Sequence, residues 1–183
     1  MGIFSRKPHI GKADFASVVT NLSRSLESLR EEFVFGSLSQ LKREGIDVSR
    51  ISRDIVPGSD LEDALKGFQL TSVIGLAWNY ISDIGEQLEF SKLLSSSLGA
   101  AEGSRAWQYH DKYLDCQGDL DALSKSLAVD IYIALGSPEP RSEFLIQFQG
   151  GGRILIGLCQ LATCTACGDD KIARTIRKQI GLP

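Results

Sequence analysis

The sequence predicts an all-α protein, a single-domain bundle of about five to seven helices. The first observation is an apolar stripe that repeats every three or four positions, as one face of a helix requires: Phe15, Val19, Leu22, Leu26, Leu29 and Phe33. The second is a set of helix-start signals, in which serine or aspartate precedes an acidic first turn. The third is that residues 144–158 are the one stretch that could form paired strands.

Length and composition support one globular unit. The 183 residues are enough to bury a core without disulfides or metals, and 43% of them are hydrophobic. The formal net charge of -3 provides no overall attraction for nucleic acid or an anionic membrane. We expect residues 1–12 to be a flexible basic segment and residues 13–183 to form the helical domain. With no signal peptide and no apolar run of about 20 residues, we expect a cytoplasmic protein without a transmembrane segment.

Four Gly-Ser pairs divide the chain into candidate helical units. Each pair is interpreted as a helix stop followed by a helix start, because glycine tolerates the left-handed conformation and serine accepts from free backbone amides. The pairs are Gly36-Ser37, Gly58-Ser59, Gly103-Ser104 and Gly136-Ser137. Asp14 is a plausible cap for the first helix. The best-defined starts are the capping box from Ser59 to Glu62 and the run from Ser137 to Glu139.

The remaining helices follow from apolar spacing. Residues 61–88 form either one long helix or two that join near Gly85. Two further helices are predicted over residues 105–116 and 120–135. The tail is a short helix that starts at Asp169 or Asp170 and ends in basic residues, in agreement with the helix dipole.

The glycine run Gly150-Gly152 lies between two apolar stretches and invites a phosphate-loop interpretation. Both phosphate-loop templates fail, since one lacks its lysine and hydroxyl and the other has Leu155 where its third glycine belongs. A β-hairpin that turns on the glycines is an open alternative. We prefer a helix whose glycines admit a close neighbour, because two lone strands are marginally stable.

The cysteine spacing matches a known cluster-binding pattern. Cys159, Cys164 and Cys167 have the C-x4-C-x2-C spacing of plant-type ferredoxins, and Cys116 could supply a fourth thiolate. A zinc, iron-sulfur or redox site is therefore one hypothesis. The preferred interpretation is four reduced thiols that pack as small hydrophobic groups, because the trio lies on a predicted helix rather than an irregular loop.

The segment "RAWQYH" places Arg105 five residues before His110. This R-x4-H spacing resembles the HEPN superfamily of small helical bundles, many of which are metal-independent ribonucleases that act as dimers. The resemblance implies that His110 is the acid-base group at the ribose 2′-hydroxyl and that Arg105 holds the phosphate. It covers six residues, and Ala106 stands where that family favours a polar residue. In the other interpretation, both are surface residues of a helix whose Trp107 and Tyr109 pack inward or against a partner.

The expected function is non-enzymatic: binding of another protein or of a second copy of the chain, including as a homodimer, without a cofactor. The Arg105-His110 ribonuclease is the alternative, and nucleic acid is a partner under that alternative alone. The cysteine site is the third hypothesis. With two histidines in the chain, H-E-x-x-H and paired Glu-x-x-His motifs are absent from the sequence.

Overall fold

The computed structural model describes residues 8–43, 59–116, 119–134 and 142–182. Over these residues the chain forms seven α-helices and no strand, and the prediction of an all-α bundle is confirmed. The helices are α1 Phe15–Arg43, α2 Asp60–Trp78, α3 Ile84–Ser97, α4 Arg105–Leu114, α5 Leu120–Ala134, α6 Ser142–Ala166 and α7 Asp170–Gln179. A 3-10 turn at Lys12–Asp14 leads into α1.

Two helices, α2 and α6, lie at the centre of the bundle. α2 contacts α3, α4, α5 and α6, while α6 contacts α1, α2, α5 and α7. Helix α2 is buried on nearly every side, so that even Gln69, Thr71 and Ser72 are removed from solvent. The Gln69 amide donates to the Leu26 carbonyl at 2.7 Å, which joins α2 to α1 through a polar contact inside the core.

The predicted stripe on α1 is covered over its first half. Phe15, Leu22 and Leu26 are fully or almost fully buried, and the Phe15 ring packs edge-on against Phe90 of α3 at 5.3 Å between centroids. The stripe continues to Leu29 and Phe33, which are only partly buried although they pack against the same core. The bundle therefore covers the stripe incompletely toward the C-terminal end of α1.

Several predicted helix starts are confirmed. The hydroxyls of Ser59 and Ser104 accept from the backbone amides of Glu62 and Trp107, and Asp169 caps α7 through the Ile172 amide. The region predicted as one or two helices is two helices, α2 and α3, and the second starts at the cap Asp83 just before Gly85. In each case the decisive contact lies within three residues along the chain.

The prediction of a helix boundary at Gly36-Ser37 is wrong, because α1 runs through both residues to Arg43. The Ser37 hydroxyl donates to the Phe33 carbonyl at 2.7 Å, a bond inside the helix, instead of capping a new one. One interior glycine costs about 1 kcal/mol, which does not suffice to break a long packed helix. Gly58, the pair Gly136-Ser137 with the predicted start that follows it, and residues 45–57 lie outside the described residues.

Helix α6 passes through all three glycines, as the preferred interpretation predicted, and the hairpin alternative is not observed there. A Cβ on Gly152 would meet the Cβ and backbone of Ser124 on α5 at 3.3–3.5 Å, and one on Gly151 would meet the Phe33 ring at 3.2 Å. Gly150 has nothing within 4 Å. The missing side chains at Gly151 and Gly152 therefore allow α5 and α1 to approach α6 closely.

The N-terminal segment meets the bundle before α1 begins. Ile10 is buried in the main core, and its amide donates to the Tyr80 carbonyl at 2.9 Å. The boundary between residues 1–12 and 13–183 stays a prediction. Ile10, although it belongs to the segment predicted to be flexible, contributes to the core of the domain.

Candidate functional site

The structure does not bring Arg105 and His110 together. Arg105, whose side chain is 58% exposed, forms an ion pair with Asp60 at the start of α2. His110 contacts Thr71 of α2. Along that helix, Thr71 lies eleven residues, or about 16 Å, beyond Asp60. A substrate phosphate held by Arg105 would therefore not lie beside the His110 imidazole in this conformation.

His110 is buried, and the interpretation of it as a surface residue is wrong. It is 4% exposed, and the Trp107 ring lies edge-on against it at 5.0 Å. Its Nδ1 lies 2.8 Å from the Thr71 hydroxyl, which itself donates to the Gly67 carbonyl at 2.9 Å. The pair joins α4 to α2 through a hydrogen bond inside the core. Burial lowers the pKa of His110, because the charged imidazolium would lose its hydration.

The cysteines are distributed through the core. Cys159, Cys164 and Cys167 are buried on or just after α6, and Cys116 is half-buried after α4. Burial raises the pKa of Cys159 and Cys167 to about 12 and also raises the pKa of Cys164, so their thiolates are disfavoured. The described residues include no group of three or more His, Cys, Asp or Glu placed to hold a metal ion.

Two buried carboxylates are committed to structural contacts. Asp130 of α5 accepts from Lys112 at 2.5 Å and from the Tyr113 hydroxyl at 2.8 Å, which joins α5 to α4. Asp169 accepts from the Tyr80 hydroxyl at 3.2 Å while it caps α7. Each carboxylate is hydrogen-bonded on both oxygens.

An apolar groove lies between the C-terminal half of α1 and the middle of α6. Its volume is about 370 Å³, and its walls come from both helices: Leu29, Phe33 and Gly36 on α1, with Phe148, Ile154 and Leu158 on α6. Among the described residues, Glu32 is the one charged residue that lines it. At this groove, no other helix of the described residues covers the apolar stripe of α1.

The groove exists because of two local features of the sequence. On α1, Leu29, Phe33 and Gly36 continue the three-and-four spacing of the buried stripe, and Gly36 leaves a gap where a side chain would stand. On α6, Gly151 lets the Phe33 ring lie against the helix backbone. Ile154 forms the outer wall and is 54% exposed.

The helical stripe predicted that Leu29 and Phe33 lie on one face of α1, but it did not identify this groove. The groove opens where no described helix covers that face of α1, and spacing along one helix does not carry that information.

Comparisons with protein-family models, with curated proteins and with solved structures find no match for this chain. No helix in the described ranges combines the length and the apolar character needed to cross a membrane. A function for this protein therefore has to be inferred from the shape and chemistry of the bundle surface.

Proposed function

We propose that this protein acts by binding an amphipathic helix of a partner protein in the groove between α1 and α6. The observation that carries the proposal is the emergence of the α1 apolar stripe at Leu29 and Phe33, opposite the exposed Ile154. Contiguous apolar surface of this kind on a globular domain is typical of interaction sites. The proposal includes a cytoplasmic location and needs no cofactor.

The dimensions of the groove suit a short helix. From Leu29 to Ser37 α1 rises about 12 Å, and from Phe148 to Leu158 α6 rises about 15 Å, at 1.5 Å per residue. A groove of this length takes two to three helical turns. Recognition of that kind places apolar anchors at positions i, i+3 or i+4, and i+7 of the bound helix.

The charge of the groove selects among amphipathic helices. Glu32 lines the apolar walls, and its carboxylate favours a lysine or arginine on the facing edge of the partner helix. An acidic residue on that edge of the partner helix would be repelled by Glu32 and would lose hydration on binding. We therefore expect a partner helix with a narrow apolar face flanked by a basic residue.

A displayed library of helical peptides tests the proposal directly. We expect selection against the wild-type protein to enrich amphipathic sequences with a flanking basic residue. Ile154→Glu places a charge on the groove wall and should weaken binding of the selected peptides at least tenfold, measured by fluorescence anisotropy. The matched control is Ile133→Glu on α5, which changes a 66% exposed isoleucine outside the groove and should leave binding unchanged.

Three results would contradict the proposal. Peptides that bind equally well to Ile154→Glu would place the interaction elsewhere. A wild-type dimer that becomes monomeric with Ile154→Glu, measured by analytical ultracentrifugation, would make a second copy of the chain the occupant. Peptide binding that appears only after residues 44–58 are replaced by a glycine-serine linker would mean that the chain fills its own groove.

A further inference from the structure

A second, polar pocket lies on the other side of α1, where it faces α2 and the end of α3. Its volume is about 440 Å³, and residues 97–99 at the end of α3 close one side. The other walls include one serine and five ionisable residues: Ser23, Arg24, Glu27, Arg30, Glu62 and Lys66. None of these residues lines the apolar groove.

The inner part of the pocket carries more positive than negative charge. Arg30 and Lys66 have side chains only 11% and 15% exposed, and both approach a single carboxylate, Glu62, at 3.8 and 3.0 Å. Arg24 and Glu27 stand at the exposed rim and offset each other. Lys66 also lies beside Gly99, where the negative end of the α3 dipole offsets part of its charge. The Arg30 guanidinium also donates to the neutral Gln69 Oε1 at 3.1 Å, and Glu62 lies farther from it than from Lys66, so its charge is the less compensated of the two.

Ser23 supplies a hydroxyl that has no use in the protein itself. In the described part of the chain, its Oγ is the one buried side-chain polar atom without a hydrogen-bond partner. Other serines of α1 donate to backbone carbonyls of the preceding turn, as Ser25 does to Asn21 at 3.0 Å. A buried hydroxyl left unpaired is costly, so a ligand that accepts from it would gain stabilisation.

We propose that this pocket binds a small oxyanion, the phosphate group of inorganic phosphate or of a phosphomonoester. Ser23 and Arg30 lie seven residues apart on α1 and so project from the same face, on which both can donate to one phosphate. Lys66 adds charge from α2 on the opposite wall. Partly buried Arg and Lys groups with a hydroxyl donor form a suitable phosphate environment, since the anion supplies acceptors for the hydroxyl and for the N–H groups that Glu62 and Gln69 do not use.

Isothermal titration calorimetry with inorganic phosphate tests the site, with chloride at equal ionic strength as the reference. We expect saturable binding of phosphate to the wild-type protein. Ser23→Ala should weaken it about tenfold, the usual effect of losing one hydrogen bond to a charged group. The same variant should melt no lower than wild type without phosphate, because it removes an unpaired buried hydroxyl. Arg30→Gln should abolish binding, whereas Arg153→Gln, the same charge change at a cation outside the pocket, should not affect it.

Phosphate heats indistinguishable from those of chloride would overturn the proposal. So would binding that survives both Ser23→Ala and Arg30→Gln, since phosphate would then bind elsewhere. A Ser23→Ala variant that melts well below wild type without phosphate would show that a bound water already satisfies the hydroxyl, and would also count against the site. If inorganic phosphate binds, comparison of phosphoserine with serine distinguishes a phosphomonoester ligand from the free ion.

Discussion

At the scale of single residues, the groups with catalytic potential are used for packing. His110 is hydrogen-bonded to Thr71, Asp130 to Tyr113, and Asp169 to Tyr80, and each pair joins two different elements of the bundle. Burial and the nearby carboxylates raise the pKa of Tyr80 and of Tyr113, so both phenols stay neutral donors. Such pairs stabilise the bundle because an unpaired buried group would be costly.

The buried His110 predicts a specific dependence of stability on pH. Its folded-state pKa is lowered, so below about pH 6.5, the ordinary pKa of histidine, the unfolded chain binds a proton that the folded chain excludes. Stability should therefore fall as the pH drops from 7.5 to 5.5, with a slope of at most about 1.4 kcal/mol per pH unit from this group. Urea denaturation at several pH values measures the slope.

Two glutamine variants separate His110 from the other histidine. His110→Gln keeps a neutral polar side chain and should flatten the pH slope. His9→Gln changes an exposed residue and should leave it as in wild type. An unchanged slope in His110→Gln would contradict the assignment of a neutral, buried imidazole.

At the scale of helices, glycine positions decide which pairs approach closely. A Cβ on Gly67 of α2 would lie 2.6 Å from the Ala106 carbonyl oxygen and from the Tyr109 Cβ on α4. No side chain fits at that distance, so the crossing of α2 and α4 requires glycine there. Gly150 on α6 is also helical but meets no neighbour within 4 Å. The same residue type thus has a packing role at one position and none at the other.

Alanine substitutions at these two glycines should change stability in opposite directions. Gly67→Ala forces α2 and α4 apart and should lower the free energy of unfolding by about 1–3 kcal/mol, as overpacking usually does. Gly150→Ala improves helix propensity without a clash and should raise it by about 0.5–1 kcal/mol. Guanidinium denaturation of both variants measures the difference. Equal effects would mean that α2 and α4 do not cross closely at Gly67.

At the scale of the whole molecule, one core joins six helices, and the seventh is attached through a smaller cluster. The main cluster runs from Ile10 through α1 to α6 and includes Cys159. Cys164, with Ala173 and Ile176 of α7, forms the second cluster. Two residues of α7, Ala173 and Ile176, are buried, and both belong to the smaller cluster, so we expect α7 to open first.

The cysteines allow this order of opening to be measured. With a thiol reagent under native conditions, half-buried Cys116 should react first, Cys164 next as α7 opens, and Cys159 last, with global unfolding. Mass spectrometry of labelled peptides over time gives the three rates, and Cys116→Ser is the control for assignment of the fast phase. Equal rates for Cys164 and Cys159 would show that the bundle opens as one unit.

Interactions between neighbours in the chain account for what could be predicted before the structure was known. The caps at Ser59, Ser104 and Asp169 act over three residues, so neighbouring residues in the sequence are enough to predict them. The α1 stripe follows in the same way from helical periodicity. The interpretation of the glycine run as packing also follows, because every phosphate-loop template needs groups that the chain lacks there.

The candidate sites depend on which helices lie opposite one another, which local sequence does not encode. His110 is buried because Gly67 admits α4, and Leu29 and Phe33 line a groove because no described helix covers them. Ser23 lines a pocket because α2 and the end of α3 lie opposite α1 there. Spacing along a helix predicts that a residue belongs to an apolar or polar face. Exposure of that face is decided by contacts between residues far apart in the chain, and these form only when the bundle assembles.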